Sequence, residues 1–302
     1  MALVGQPNVG KSTLLNALLG QPLAITSPYP QTTRDAVRGI LTTSDAQYVL
    51  VDTPGIHAPR TRLGRWMNDV ARQAARDADA VVLVVEAPRD TPVTMLPSEG
   101  DVALASELSE MSTVLVISKI DRLKNKARLL PWIQALAQGR SFMATIPLSA
   151  RRKQGVDRLL IELRPLLPEQ PWLFERDTLS DQPQRFFVAE LVREQVLKHT
   201  RQEVPHGAAV VVESFDENVI PQRIEVTIHV ARAAHTKILV GAGGQMLKSI
   251  GTSARARIER MIGARVHLAL HVRVAPDWMN DEARLRELGY SASNAGLDRG
   301  ER

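Results

Sequence analysis

The 302-residue chain contains no cysteine. That excludes a disulfide framework and any thiolate metal site, and it suits the cytoplasm. No stretch reaches the about 18 consecutive apolar residues that a membrane-spanning helix needs. The start lacks the basic-then-apolar pattern of an export signal. Internal repeats and low-complexity tracts are absent as well. What is present is 44% hydrophobic and 24% charged residues, the proportions of ordinary soluble globular domains, in a length comfortable for two.

The net charge is +5, and its distribution matters more than its size. From 232 to 273 lie Arg232, Lys237, Lys248, Arg255, Arg257, Arg260, Arg265 and Arg273, opposed only by Glu259, so eight positive charges less one leave +7 there. The stretch reads either as a solvated basic face or as a polyanion-binding surface.

Residues 5–13 read GQPNVGKST, which fits G-x-x-x-x-G-K-[ST], the phosphate-cradling loop. The run Gly5, Asn8, Val9, Gly10, Lys11, Ser12 and Thr13 would turn backbone N–H groups onto a polyphosphate. Lys11 would supply a point charge to the β- and γ-phosphates, and Ser12 a hydroxyl to Mg²⁺. Apolar Ala2, Leu3 and Val4 predict the preceding strand, and residues 12–19 predict a helix whose N-terminus faces the anion. Only four residues precede the loop. A late start site, an edited chain or a short first strand would each account for that.

The first half alternates strands with helices. Short β-branched runs at 48–51, 80–85, 114–117 and 144–148 predict buried strands. Helical spacing covers 63–76, 101–110, 129–138 and 156–166. This order implies an α/β domain with a mostly parallel sheet and helices on both faces. A proline-rich segment with Pro165, Pro168, Pro171 and Pro183 follows, and Trp172, Leu173 and Phe174 predict that part of it packs down. Beyond it the plan changes to a helix (187–200), two strands (209–215 and 223–230), a helix–glycine loop–helix unit and a last strand (266–274), a small α+β domain. The divisions are 1–167, a linker at 168–184, 185–290, and a frayed tail at 291–302.

Three further motifs follow the loop in order. Asp52 opens DTPG at the end of a strand, where its carboxylate would hold Mg²⁺ through water and the Gly55 N–H would reach the γ-phosphate. Between these motifs, SPYPQTTRD offers Thr32 or Thr33 to Mg²⁺ and to the γ-phosphate, and the sequence does not choose between them. Ser118-Lys119-Ile120-Asp121 places an Asp where it would accept from guanine N1–H and N2–H₂, donors that adenine lacks at that edge. The Lys119 stem would cover the base, and Ser149-Ala150 would bring an N–H to guanine O6.

These motifs resemble the translation-factor-like class of P-loop GTPases, whose pattern is N-K-x-D where Ser118 stands here. Ile56 stands where signalling members carry a water-orienting Gln, so hydrolysis would rest on Lys11, Thr33, Gly55 and Mg²⁺. Asn8 matches a position associated in related GTPases with a monovalent cation, here K⁺. The second glycine loop, Gly241-Ala242-Gly243-Gly244, resembles the backbone clamp of a KH domain, with Lys237, Lys248, Arg255 and Arg257 as RNA contacts and Ile238, Val240 and Ile250 as a groove for bases. Together with PEQPWLF, KILVGAGG and ARLRELGY, the chain closely resembles the Era-like family to Tyr290. The resemblance implies a P-loop GTPase domain followed by a type II KH domain. It also implies GTP and GDP as ligands, slow turnover, and a monomer bound to the 3′ region of small-subunit ribosomal RNA during assembly of the small ribosomal subunit. Cytoplasmic placement with peripheral inner-membrane association is a further family property. A tandem-domain relative would need a second phosphate loop, and none is present. The reading from another class is an RNA-binding module whose nucleotide site serves the fold.

Overall fold

The computed structural model describes residues 1–88, 96–125, 127, 129–138, 140–200 and 207–290. The expected tail at 291–302 lies outside the described residues. The N-terminal body holds strands β1 (Ala2–Val4), β2 (Val37–Thr42), β3 (Gln47–Asp52), β4 (Val81–Glu86), β5 (Thr113–Ser118) and β6 (Ala144–Pro147) in the order β2-β3-β1-β4-β5-β6. All pair in parallel except β2, an antiparallel edge strand on β3 that the sequence pattern did not reveal.

Side-chain alternation sorts this sheet into two apolar layers. Leu3, Val82, Val84, Val114 and Val116 pack with α1 (Lys11–Leu19) and α5 (Val156–Leu163). Val4, Val81, Leu83, Val85, Leu115 and Ile117 pack with α2 (Arg62–Arg76), α3 (Glu99–Glu107) and α4 (Leu129–Leu136). Both faces are covered, which is why β4 and β5 read as unbroken apolar runs. The strands' C-terminal ends gather the loops after β1, β3, β5 and β6 at one edge, where ligands bind in such sheets.

The linker straps the free edge of β2. Ile40 N donates to the Leu179 carbonyl (2.8 Å), Ser180 Oγ donates to the Arg38 carbonyl (2.6 Å), and Arg38 pairs with Asp181 at 2.5 Å. Gln47 Oε1 accepts from the Leu173 and Phe174 amides. The segment is packed down through these polar contacts, while Trp172 and Leu173 are exposed, against expectation. A strapped edge offers no ladder to a second chain.

The C-terminal body comprises α6 (Gln184–His199), β7 (Ala208–Asp216), β8 (Gln222–Val230), α7 (Ala233–Val240), α8 (Gln245–Ile262), β9 (Val266–Val274) and α9 (Glu282–Glu287). β8 is central, antiparallel to β7 and parallel to β9. Val188, Val192 and Val196 of α6 and Ile250, Ala254 and Ile258 of α8 cover one face of this sheet.

The two bodies share a separate apolar cluster of Leu63, Met67, Ala209, Trp278, Leu285 and Tyr290. Trp278 stacks on Tyr290 (5.7 Å between centroids), Trp66 meets Tyr290 edge-on (5.4 Å), and the Arg34 guanidinium lies 5.5 Å over the Trp278 ring. Burial pushes the neighbouring Asp35 carboxyl up to about 7, with Glu190 raising it further and Arg193 and Arg34 opposing. The folded protein therefore holds a proton between roughly pH 4 and 7 that the unfolded chain releases, so this group's stabilisation declines as pH rises through that window. Denaturant titrations of wild type and Asp35→Asn from about pH 5 to about pH 8 are expected to show the wild-type midpoint falling relative to the variant.

Candidate nucleotide site and nucleic-acid groove

The phosphate loop leaves β1 and enters α1 through Gly10, whose φ of 107° a side chain would oppose. Lys11 is buried, and its Nζ donates to the Gly5 (3.1 Å) and Gln6 (3.0 Å) carbonyls. Burial lowers its pKa to about 8, partly offset by the charge of Asp52. A cluster of anionic oxygens at this point would restore full protonation.

Asp52 ends β3 fully buried, and burial raises its carboxyl against the pull of Lys11, Ser12 and Thr33. Its Oδ2 accepts from Ser12 Oγ (2.7 Å) and Thr33 Oγ1 (3.1 Å), and those hydroxyls lie 2.8 Å apart. Its Oδ1 has no partner among the described residues. Two hydroxyls and a free carboxylate oxygen form the all-oxygen donor set that Mg²⁺ takes. Thr32 turns away, bonded to Ser27 Oγ and the Tyr29 carbonyl at 2.6 Å each. Of the two threonines, only Thr33 therefore brings its hydroxyl to this cluster.

Gly55 packs directly on the phosphate loop: a Cβ there would sit 2.6 Å from Pro7 Cα. Ile56 N donates to the Gly5 carbonyl at 3.2 Å. Asn8 donates to the Pro28 carbonyl (3.1 Å), placing its amide between the loop and the Thr32–Thr33 segment.

At the base end, Ser118 Oγ donates to the Val9 carbonyl at 2.5 Å. It ties the strand end to the phosphate loop. Lys119 crosses to the Asn8 carbonyl (2.5 Å) and to Glu86 (2.7 Å). Ser149 donates to Asp121 at 2.6 Å, and this bond is the main cause that lowers the Asp121 pKa. The carboxylate is thus ionised and oriented. A cleft of about 420 Å³ joins Asn8, Gly10, Lys11, Ser12, Thr13, Thr32, Thr33, Gly55 and Lys119. Asp121, Ser149 and the neighbouring Ala150 are not part of its lining, while the Val9 side chain belongs to the core. A larger cavity of about 650 Å³ lies under the linker, remote from all these groups.

In the C-terminal body the glycine loop sits between α7 and α8. Gly243 and Gly244 take φ of 58° and 79°, and a Cβ on either would meet none of the described residues within 4 Å. Backbone is therefore open to a phosphate. Beside it runs a groove of about 430 Å³ lined by Gly244, Leu247, Lys248, Gly251, Thr252, Arg255, Leu268 and Leu270. Lys248, Thr252 and Arg255 recur at helical spacing on one face of α8. Several residues expected at this surface lie outside the groove's lining. Arg257 faces α6, where it and Lys198 pair with the buried Glu194. Ile250 is core because the inward face of α8 must cover the sheet, and on α7 Ile238 stands exposed and, like Val240, outside the groove's lining. Leu268 and Leu270 of the edge strand β9 supply the apolar wall instead. Lys237 is exposed in the last turn before Gly241.

The 50S ribosome-binding GTPase family matches residues 1–119 and the KH domain family matches residues 203–279. GTPase Era of Ruminiclostridium cellulolyticum is 40% identical over 296 residues, spanning 97% of each chain. The chain belongs to the Era family of GTPases. GTPase Era of Xanthomonas oryzae pv. oryzae is 43% identical over 293 residues, 96% of each chain. The crystal structure of Era in complex with MgGDPNP and nucleotides 1506–1542 of 16S ribosomal RNA superposes with a TM-score of 0.89 at 34% identity, covering 96% of this chain and 97% of that one. A point variant of Aquifex aeolicus Era bound to GDP·AlF4⁻ gives 0.86 at 34%, covering 96% and 98%.

Era family membership fits the P-loop domain and KH domain expected from the motifs. Sequence reasoning missed Glu86, which pairs with Lys119 and with Arg122 (3.2 Å). It also missed the Gln31–His57 contact (3.1 Å) that joins the segments around Thr33 and Gly55. A charged residue closing an all-apolar strand was the only signal for Glu86. Ser118→Ala would leave the Val9 carbonyl buried without its donor, so a loss of about 1–3 kcal/mol is expected. Denaturant unfolding would read that loss, and Ser118→Thr should restore most of it.

Proposed function

We propose that this chain is a GTP-hydrolysing switch that binds the 3′ region of small-subunit ribosomal RNA through its KH domain and assists assembly of the small ribosomal subunit. The observation that carries the reading is the cluster of Ser12, Thr33 and Asp52 beside Lys11, in which one hydroxyl comes from the loop between α1 and β2. Ser12, Thr33 and the free oxygen of Asp52 would hold Mg²⁺, which supplies charge neutralisation at the β- and γ-phosphates. Asn8 would add K⁺ at the loop's rim. Lys11 would leave its carbonyl partners for phosphate oxygens, and the Thr33 and Gly55 amides would face the transferring group. Among the described residues no side chain stands as a general base, so the expected intrinsic rate is slow.

Asp121, ionised and steered by Ser149, would read guanine. Lys248, Arg255 and the open Gly243–Gly244 backbone would hold RNA phosphates, with Leu268 and Leu270 beneath the bases. A relative of closely similar fold is described with both MgGDPNP and a 16S ribosomal RNA fragment, which supports pairing the two ligands.

GTP hydrolysis measured in K⁺, with a 3′-terminal 16S fragment titrated in GDP and in a non-hydrolysable GTP analogue, tests this. Tighter RNA binding with the analogue is expected, and Lys11→Ala should abolish both turnover and the difference. Equal RNA affinity in both nucleotide states and in Lys11→Ala would instead indicate an RNA module with a structural nucleotide site. Excess ATP should fail to displace bound GDP.

A further inference from the structure

Residues 29–34 touch the KH body repeatedly. The Tyr29 hydroxyl donates to the Thr200 carbonyl (3.3 Å), and Arg34 Nη1 donates to the Ala208 carbonyl (2.7 Å). Between them, Arg193 of α6 donates from Nη2 to the Thr32 carbonyl. Thr33 turns the other way, to Ser12 and Asp52. The nucleotide cleft and the KH body thus grip one short stretch from opposite sides.

Arg193 is only 2% exposed, and its Nε and Nη2 hold Glu190 on the same helix at 2.7 and 2.6 Å. That pair already neutralises the guanidinium, so the contact with Thr32 is not needed for charge balance. It fixes a peptide group. The Thr32 carbonyl and the Thr33 N–H belong to one planar trans unit and point in opposite directions. A carbonyl held toward Arg193 therefore aims the Thr33 N–H away from Arg193 and its helix.

We propose that Arg193 is a positioning residue for GTP hydrolysis, supplied to the nucleotide site by the KH domain through the Thr32–Thr33 peptide. The inference rests on the GTPase reading above. It makes the KH body half of the switch: a GTP γ-phosphate, which the Thr33 amide receives, favours the docked arrangement, and docking favours the GTP-ready amide. Such coupling is reciprocal for binding free energies. GDP lacks the γ-phosphate and gains nothing from the oriented amide.

The test uses the full chain with Arg193→Gln and Arg193→Lys. For Arg193→Gln, affinity for a non-hydrolysable GTP analogue should fall by about tenfold, the equivalent of one charge-assisted hydrogen bond, while GDP affinity stays within about twofold. Its kcat should fall, with the unfolding midpoint recorded alongside. Arg193→Lys keeps a charge beside Glu190 and so protects folding, but an ammonium lacks the planar fork that serves a carboxylate and a carbonyl together. It should show the same split between analogue and GDP, smaller in size. Parallel loss of analogue and GDP affinity, or no change in either, would overturn the proposal. Wild type that fails to hydrolyse GTP would defeat the reading of the site, whereas active wild type matched by both variants would defeat this inference alone.

Discussion

A carboxylate buried at the end of a strand is costly unless its charge is answered, and Asp52 is buried completely. The neighbouring architecture answers it. Ser12 at the first turn of α1 and Thr33 from the loop before β2 donate to one oxygen, Lys11 stands nearby, and the second oxygen has no partner among the described residues. The parallel sheet makes this possible, because β1 and β3 are neighbours and both end at the same edge. Loss of the Thr33 hydroxyl from this cluster would leave Asp52 with one donor fewer, so the loop's position and the carboxylate's ionisation are bound together.

That loop is also the point where the two bodies meet. Its other residues reach the KH body through Tyr29, the Thr32 carbonyl and Arg34, next to a packed aromatic cluster of Trp66, Trp278 and Tyr290. A movement of a few ångströms at residues 29–34 would therefore break contacts on the KH side as well as on the nucleotide side. Packed interfaces tend to have discrete arrangements and do not deform smoothly, which is the property a switch needs. The strapped linker limits where the C-terminal body can go, since 173–181 stay tied to β2 and β3.

The phosphate loop, DTPG and the guanine motif were legible because each depends on local spacing: a backbone that must approach phosphate, a carboxylate at a strand end, a lysine two residues before an aspartate. The buried strands β4 and β5 were legible for the same reason. β2 was not, since Val37–Thr42 lacks a continuous apolar run and gains its place by pairing with β3. Arg257 read as a free cation because Glu194 lies far back in the chain, on α6, yet shares its helix–helix contact.

The sequence by itself determined that a P-loop GTPase domain and a KH domain occupy one chain, because both are marked by short contiguous motifs with their own backbone requirements. It left Thr32 and Thr33 equivalent, and it did not show what Ser118 touches. Only the tertiary structure decided those. Thr33 and not Thr32 meets Ser12 and Asp52, and Ser118 reaches Val9 from 109 residues away. Arg193 holds the very peptide between the two threonines. Such contacts depend on where distant elements come to rest, and no local spacing records that.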